Sequence, residues 1–440
     1  MFPSLAPKSE FTVRFLAFLV LAALLLLAGC SRSPENNGAQ TAASDSSGTT
    51  APALTSATAP AQRSTSALPQ AAYIWQRVWT PAHRGVLANS HELFNQLRVL
   101  AAQLQPGEGW FDAHVDLQAL QVDGRAVRPV IRLDGRLSKL DAADIAQRSS
   151  NIVSDWRAAG VHVDGIEIDF DCPSARLPEY AQLLSAVRAA LPRDVQLSIT
   201  ALPDWIDASG LLDVLAIADE AVLQVHAVRD PAQGLFDADK SEQWIARFAS
   251  RTERPFEVAL PAYGSALVFD RSGQRVGVES EAGLAQAGER QELNADPAAV
   301  AALLRKLEAA PPPHLRGIVW FRLPLPGDRR AWALATMSAV INAQPLRADF
   351  VAAVQSTGTG AFDLQVANRG TLDARLPASV DIGGRGCGDA DALPGYRIQR
   401  AATGLRFVRE SDARLPASQS RALGWVRCTQ LADPDIHVHP

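Results

Sequence analysis

The sequence predicts a (β/α)8 barrel followed by a small all-β domain, and three observations support this fold class. Short apolar runs alternate with helical patterns over roughly 270 residues, and a barrel of this type typically has about 250 residues. No glycine-rich phosphate loop follows the first apolar run, which disfavours a doubly wound open sheet. Beyond about residue 345, short alternating runs separated by Gly, Asn, Asp and Pro predict strands only.

Residues 1–30 are predicted to be a lipoprotein signal peptide. A basic start precedes an apolar run from Phe15 to Leu27, and these thirteen residues suit a signal peptide but are too few to span a membrane. The ending Leu27-Ala-Gly-Cys30 resembles the bacterial lipobox, which implies cleavage before Cys30 and lipidation of that cysteine. Several acyl chains on one residue anchor a protein stably. Ser31 after the cysteine favours the outer membrane, by the sorting pattern of such lipoproteins.

Residues 31–70 are predicted to be a disordered linker. They are rich in Ala, Ser, Thr, Pro and Gln and contain almost no large apolar side chains. Such a segment cannot bury enough surface to fold, so we expect a flexible tether between the membrane and the barrel.

The barrel is predicted over residues 71–344. Its strands are predicted near residues 73–79, 111–117, 128–134, 162–171, 195–202, 221–228, 256–263 and 317–323. Its helices are predicted near residues 90–105, 141–159, 176–191, 209–218, 241–251, 296–309 and 328–342.

The alternation of side chains along each strand predicts which residues point into the barrel lumen. These residues are Trp75, Arg77, Trp79, Asp112, His114, Asp116, Arg132, Asp134, Glu167, Asp169, Asp171, Ser198, Thr200, Gln224, His226, Glu257, Tyr263, Trp320 and Arg322. A barrel built only for stability is filled by aliphatic layers, so a polar lumen predicts a ligand site at the carboxyl ends of the strands. An internal ion network of Arg77, Arg132 and Arg322 with the carboxylates is the alternative, and both interpretations are compatible.

The fourth predicted strand carries three carboxylates on one face, namely Glu167, Asp169 and Asp171. Three carboxylates within about 7 Å of one another repel, which raises the pKa of at least one of them. Such an arrangement indicates function more often than packing. The alternative is the solvated polar face of an edge strand.

The sequence around these carboxylates resembles glycoside hydrolase family 18, the chitinase-like barrels. Asp164-Gly-Ile-Glu-Ile-Asp-Phe-Asp171 is similar to the fourth-strand pattern Asp-Gly-x-Asp-x-Asp-x-Glu of that family. Pro261-Ala-Tyr-Gly264 and Gly317-Ile-Val-Trp320 resemble its seventh and eighth strands. When the ending Asp-Phe-Asp-Cys-Pro is included, the sequence from about residue 71 onward resembles the bacterial domain-of-unknown-function family 3142.

The resemblance implies roles for the three carboxylates. Asp171 is expected to be the general acid, Asp169 its partner or the group that orients the acetamido group of the substrate as the nucleophile, and Glu167 a support for both. The sequence departs from the chitinase pattern at two positions, because 167 is Glu instead of Asp and 171 is Asp instead of the catalytic Glu. A misplacement of about 1 Å can cost on the order of a hundredfold in rate. A glycoside hydrolase and a glycan-binding protein on a catalytically retired barrel are therefore both expected from the sequence, and an envelope scaffold protein is a third hypothesis.

The expected ligand is a carbohydrate, because flat aromatic rings at strand ends stack on the apolar faces of sugars. Core packing is the alternative for each tryptophan. The predicted substrate-binding residues are Trp75, Arg77, Trp79, Asp116, Arg132, Asp134, Gln224, His226, Tyr263, Trp320 and Arg322.

Other classes of function find little support in the sequence. No zinc-type spacing of His, Cys and Glu is present, so we predict neither a metal site nor a cofactor. A net charge of −5 without a basic cluster argues against nucleic acid as a partner. The expected partners are a polysaccharide or oligosaccharide and, through the lipid anchor, the membrane.

The C-terminal domain is predicted over residues 345–440 as a small β-sandwich, with a role in sugar binding or in capping the barrel. An oxidising periplasm favours a disulfide between Cys387 and Cys428. Cys172 is then a free thiol at the mouth of the barrel. We do not predict it to be catalytic, because nearby acids raise the pKa of a thiol.

Overall fold

The computed structural model describes residues 61–226, 234–279, 288–401 and 404–440. The predicted signal peptide with Cys30, most of the predicted linker and the end of the strand predicted at 221–228 lie outside these residues. Within the described part of the chain, no helix has both the length and the apolar character needed to cross a membrane.

Eight parallel strands form a closed barrel, which confirms the predicted fold class. The strands of this part of the chain are β1 (Gln70–Ile74), β2 (Gln96–Gln105), β3 (Gly109–Asp112), β4 (Ala126–Leu133), β5 (Gly165–Phe170), β6 (Gln196–Ala201), β7 (Glu220–Gln224), β8 (Phe256–Pro261), β9 (Gly264–Phe269), β10 (Arg275–Glu279), β11 (Glu289–Asn294) and β12 (Leu315–Phe321). The barrel order is β1-β12-β8-β7-β6-β5-β4-β2, and the pairing of β1 with β2 closes it. β3 extends β2 as an antiparallel hairpin, while β10, β9 and β11 form a separate antiparallel sheet after β8.

Helices cover the outside of the barrel. They are α1 (Ala82–Ser90), α2 (Leu117–Asp123), α3 (Ala142–Ala158), α4 (Leu177–Ala190), α5 (Leu211–Ile217), α6 (Ala238–Ala249), α7 (Pro297–Ala309) and α8 (Leu334–Ile341). Aspartate caps begin several of them: the side chains of Asp141, Asp237 and Asp296 accept hydrogen bonds from backbone N–H groups in the first turns of α3, α6 and α7. The starts of α3 and α7 agree with their predicted positions within one residue, whereas α6 begins three residues before its predicted start at 241.

The predictions for the second barrel strand are wrong. The sequence predicts a helix over 90–105, where the structure has β2, and a strand over 111–117, where it has β3 and the start of α2. Six consecutive residues of β2, from Leu97 to Ala102, are buried, because a barrel strand is covered on both faces. Such a strand lacks the alternation of apolar and polar residues by which strands are recognised, and its leucines happen to follow helical spacing.

The predicted linker ends earlier than residue 70. Residues 61–69 lie against the barrel, where the backbone N–H groups of Ala61 and Ser64 donate to the carbonyls of Asn89 and Glu92. Leu68 is buried in the barrel core. This segment therefore leads into β1 along the barrel surface.

The C-terminal part of the chain is all-β, as predicted. Its strands are β13 (Phe350–Gly358), β14 (Ala361–Asn368), β15 (Ala374–Arg375), β16 (Ser379–Ile382), β17 (Ala390–Ala392), β18 (Tyr396–Ala401), β19 (Gly404–Arg409), β20 (Arg414–Leu415), β21 (Gln419–Arg427) and β22 (Ile436–His439). Two antiparallel sheets, β13-β14-β21-β17 and β18-β19-β16-β22, enclose a core that contains Leu364, Val380 and Phe407. The predicted disulfide is confirmed, with an S–S distance of 2.06 Å between Cys387 and Cys428.

Asp373 connects this β domain to the barrel. Its carboxylate accepts hydrogen bonds from the Ala333 N–H at 2.8 Å and the Thr336 hydroxyl at 3.0 Å, both at the start of α8. The same carboxylate accepts from the Ala417 N–H of the β domain at 2.7 Å. An acidic group at a helix N-terminus is favourable, so Asp373 caps α8 from the neighbouring domain.

Candidate active site

The predicted orientation of β5 is confirmed by the burial of its side chains. Ile166, Ile168 and Phe170 pack in the core between the strands and the helices. Glu167 and Asp169 lie on the opposite face, in the lumen, and are 0% and 3% exposed. The buried edge-to-edge pairing of β5 with β4 and β6 excludes the solvated edge strand.

Glu167 lies in the lumen with both carboxylate oxygens in contact with other side chains. It accepts hydrogen bonds from the Tyr73 hydroxyl at 2.7 Å and the Thr200 hydroxyl at 3.0 Å, and it forms an ion pair with Arg98. These contacts fix the carboxylate in the lumen, and its role in supporting Asp169 and Asp171 stays a prediction.

Arg98 is the centre of a buried ion network that the sequence reasoning missed. Besides Glu167, its guanidinium contacts Glu220 at 2.6 Å and also Glu257. Arg128 joins the network through Glu220. Of the three arginines that were predicted to form an ion network with the carboxylates, namely Arg77, Arg132 and Arg322, Arg132 alone contacts a carboxylate of β5 or of the residue that follows it. Arg98 was missed because it lies in the segment that was predicted to be a helix.

Asp169 and Asp171 share one guanidinium at the carboxyl end of the barrel, an arrangement that we call the Arg132 bridge. Arg132 donates from Nη1 to Asp169 Oδ2 and from Nη2 to Asp171 Oδ2, each at 2.5 Å. The other oxygen of each carboxylate, Oδ1, is buried and has no hydrogen-bond partner among the residues that the structure describes. Buried polar atoms without partners are uncommon, so this pair of oxygens is available to a ligand.

Burial raises the pKa of the Asp169 carboxyl to about 7. The positive charge of Arg132 opposes this rise, and the negative charge of Asp171 adds to it. A carboxyl group with such a pKa holds a proton in about half of the molecules at neutral pH. The Arg132 bridge therefore contains a proton that is available near physiological pH.

Aromatic side chains form the wall opposite the Arg132 bridge. The Phe321 ring is 5.2 Å from Trp75, 5.1 Å from Tyr263 and 5.5 Å from His226, between ring centroids. Tyr73 completes the group at 5.7 Å from Phe321. Because strands four and eight of an eight-stranded barrel lie across from each other, this aromatic wall faces the carboxylates. Three of the predicted binding residues, Trp75, Tyr263 and His226, are thus brought together with Arg132.

The predicted lumen position of Trp320 is wrong. Trp320 is 0% exposed, belongs to the core between the barrel and its helices, and donates from Nε1 to Gln70 Oε1 at 2.7 Å. Its neighbour Phe321 points into the lumen instead. Since Trp320 and Phe321 are both apolar, the sequence pattern did not show which of them faces inward.

The remaining predicted binding residues lie in contacts of their own, and among them Arg322 is buried. Arg77 is exposed and donates to Gln103, while the Trp79 ring stacks on His83 at 4.6 Å. Three of these residues form ion pairs, namely Asp116 with Arg84, Asp134 with Arg136 and Arg322 with Asp328. Gln224 is half-buried and donates to the carbonyl of His226 at 2.9 Å. Asp116 also caps α2, so its local structure explains its presence without a ligand.

Cys172 is a free, buried thiol, as the sequence predicts. Burial raises the pKa of this thiol to about 12, and the charge of Asp171 contributes less. The direction agrees with the prediction, although the main cause is burial and not the acids. No cluster of His, Cys, Asp and Glu within the described ranges has the geometry to hold a metal ion.

The fold and the site define a (β/α)8 barrel with paired carboxylates at the end of its fourth strand and an aromatic wall across the lumen. Residues 123–326 match the domain of unknown function DUF3142, and residues 351–429 match the domain of unknown function DUF8456. The resemblance to family 3142 predicted from the sequence is thereby confirmed over most of the barrel. No curated protein matches the chain in sequence.

Solved structures similar to this chain include chitinases and a spore enzyme. A chitinase from Chromobacterium violaceum is 15% identical, with a TM-score of 0.41, and the match covers 60% of this chain and 96% of that chain. The spore cortex-lytic enzyme SleL of Bacillus cereus is 13% identical, with a TM-score of 0.41 and coverages of 60% and 72%. A chitinase from Bacillus thuringiensis is 10% identical, with a TM-score of 0.41 and coverages of 84% and 100%.

Proposed function

We propose that the protein is a glycoside hydrolase that cleaves an envelope or secreted polysaccharide, with Asp171 as the general acid. The observation that carries the proposal is the Arg132 bridge. It holds two carboxylates side by side, leaves one buried oxygen of each without a partner among the described residues, and faces an aromatic wall. A sugar ring between the two surfaces stacks on the aromatic wall while its glycosidic oxygen meets the carboxylates.

The reaction needs a proton donor and a nucleophile. Asp171 is the more exposed of the pair, with 29% of its side chain accessible, so it is the carboxyl that reaches the leaving-group oxygen. Asp169 is more deeply buried and its pKa is raised to about 7, so it carries a proton beside the general acid near neutral pH. Arg132 fixes the spacing of the two groups through its planar guanidinium.

The aromatic wall indicates the source of the nucleophile. A retaining glycosidase with two enzyme carboxylates places them about 5–5.5 Å apart on either side of the scissile bond. Here Asp169 and Asp171 lie on the same side, and the facing wall is formed by Phe321, Tyr263 and His226. A nucleophile within the substrate satisfies this geometry, as the resemblance to chitinase-like barrels also implies. The proposed substrate is therefore a glycan with 2-acetamido sugars.

A glycan-binding protein on a retired barrel is the second candidate, and one observation favours it. The Asp171 side chain is one methylene shorter than the glutamate of the chitinase pattern, and its Oδ2 is held by Arg132. A carboxyl that is both short and held approaches the glycosidic oxygen less closely. In that case the same lumen binds a sugar without cleaving it.

For the location of the protein, we propose an outer-membrane lipoprotein anchored through Cys30. The support is the sequence of residues 1–31, with an apolar run that ends in Leu-Ala-Gly-Cys followed by Ser. The disulfide between Cys387 and Cys428 is consistent with an oxidising compartment.

The experiment is a screen of envelope polysaccharides for product release by the wild type and by Asp171→Asn, alongside calorimetric binding. The proposal predicts release by the wild type, none by Asp171→Asn, and glycan affinities within a few fold of each other, because shape and most hydrogen bonds persist. Equal release by both proteins would refute the acid. Binding without release by the wild type would establish the second candidate.

A further inference from the structure

His226 carries an unpartnered polar atom inside the lumen. Its side chain is 4% exposed, it follows β7, and its ring lies 5.5 Å from both Tyr263 and Phe321 in the aromatic wall. Nδ1 lies 3.3 Å from the Tyr263 hydroxyl, whereas Nε2 has no hydrogen-bond partner among the described residues. A buried ring nitrogen without a partner is costly, and it indicates a ligand atom or a water at that position.

The surroundings of the ring favour its neutral form. No carboxylate of the described part of the chain hydrogen-bonds to His226, and burial lowers the pKa of the imidazole to about 3. Neutral imidazole has one N–H donor and one bare nitrogen, and the partner of one nitrogen decides which is which.

The contact between Tyr263 and His226 decides the position of the imidazole proton. The Tyr263 hydroxyl lies 3.3 Å from His226 Nδ1, and the tautomer of the imidazole decides which of the two groups donates. Burial raises the pKa of Tyr263, so the phenol stays protonated. If Nδ1 accepts from the phenol, the imidazole proton resides on Nε2.

We propose that Tyr263 and His226 form a relay in which the phenol donates to Nδ1 and so fixes the Nε2–H form of His226, and that this N–H donates to an uncharged acceptor oxygen of the bound glycan. The inference rests on the proposed function for the class of ligand, but not for the position of the proton. The lumen then has two complementary sides. The Arg132 bridge offers bare carboxylate oxygens to sugar hydroxyl or N–H donors, and His226 offers a donor to a hydroxyl or carbonyl oxygen.

The position of the proton is tested without any ligand. In 15N spectra of the full chain labelled at histidine, the His226 signal is identified by its loss in His226→Gln. We expect the Nε2–H form in the wild type and a shift towards the Nδ1–H form in Tyr263→Phe, which removes the donor to Nδ1 and keeps the ring. A wild-type His226 that is protonated on Nδ1, or a Tyr263→Phe spectrum that is unchanged, would overturn the relay.

The donor role is tested by titrating the full chain with the tetramer of N-acetylglucosamine. His226→Leu is expected to weaken binding roughly 3- to 10-fold, the effect of one lost neutral hydrogen bond. His226→Gln places an amide N–H near the position of Nε2, so we expect it to recover most of the affinity. Equal affinities of His226→Leu and the wild type would overturn the donor role. If the wild type does not bind the tetramer, the proposed substrate class fails, and the spectra alone decide the relay.

Discussion

Within the Arg132 bridge, Asp169 is the residue whose protonation differs most clearly between the folded and the unfolded protein. Its pKa is raised to about 7 in the folded protein, chiefly by burial, whereas an exposed aspartate has a pKa of about 3.9. The folded protein therefore binds this proton more tightly than the unfolded chain does. By linkage, the stability contributed by this proton is complete below pH 4 and is lost as the pH rises through 7.

Asp169→Asn tests this pH dependence, because asparagine does not titrate. We expect the melting temperature of the wild type, relative to the variant, to fall between pH 4 and pH 7 and to level off above pH 7. Thermal unfolding at intervals of one pH unit measures the difference. A difference that stays constant, or rises with pH, would show that Asp169 is not protonated in the folded protein.

Arg98 holds the deeper part of the lumen together. It contacts Glu167, Glu220 and Glu257 and has no exposed side-chain surface. Arg98→Met leaves three carboxylates without their central cation, and the loss of one partner from a buried ion network costs about 3–5 kcal/mol. Chemical denaturation of the variant at pH 7 measures the loss.

The matched control is Arg84→Met, which removes an arginine from an exposed ion pair with Asp116. Exposed pairs of this kind contribute at most about 1 kcal/mol, so the control is expected to unfold nearly as the wild type does. Similar losses in the two variants would refute the central position of Arg98.

At the scale of single elements, the sequence predicted the barrel strands and their helices from β4 to α8 well, but it did not predict the antiparallel strands β9, β10 and β11. The helices α3, α4 and α7 lie within one residue of their predicted ends, because their apolar periodicity and their capping or terminal residues agree. β2 was missed because both of its faces are covered, and Arg98 was missed with it. The inward face of β12 was also misassigned, since Trp320 and Phe321 are equally apolar and only packing distinguishes them.

The Arg132 bridge was only partly predictable. The three carboxylates on one face follow from the alternation in β5, and Arg132 follows from β4. Their pairing depends on the register between the two strands, in which Arg132 lies beside Asp169. No short-range pattern in the sequence encodes that register, so the contact of Arg132 with both aspartates could not be predicted from the sequence.

The β domain depends on its disulfide. The bridge joins β21 and the segment before β17, and it closes a loop with a sequence separation of 41 residues. A cross-link over such a loop stabilises the folded state by roughly 4 kcal/mol in the chain-entropy model. We expect the double variant Cys387→Ala and Cys428→Ala to unfold at a lower temperature than the wild type.

Calorimetry of the full chain measures this effect, with Cys172→Ala as the control because Cys172 forms no disulfide. The unfolding transition of the β domain should shift to a lower temperature in the double variant. Unchanged melting of the double variant would exclude a stabilising role for the disulfide.

At the scale of the whole molecule, the proposed lipid on Cys30 determines where the barrel acts. Only this lipid is expected to hold the protein at the membrane, because several acyl chains on one residue supply the anchoring energy. Cys30→Ala should therefore appear in the soluble fraction after cell lysis, whereas the wild type sediments with membranes. Membrane association that persists in Cys30→Ala would refute the lipid anchor.

The central claim is that Asp171 is a working general acid and not the remnant of one. The most direct measurement compares the turnover of wild type, Asp171→Asn and Asp171→Glu on one glycan with 2-acetamido sugars. If the lumen is built around an aspartate, the wild type cleaves, Asp171→Asn does not, and Asp171→Glu is slower by on the order of a hundredfold, because the added methylene displaces the acid by about 1 Å. If the shorter side chain of Asp171 has instead abolished catalysis, the wild type shows no turnover and Asp171→Glu gains it. That result would contradict the account.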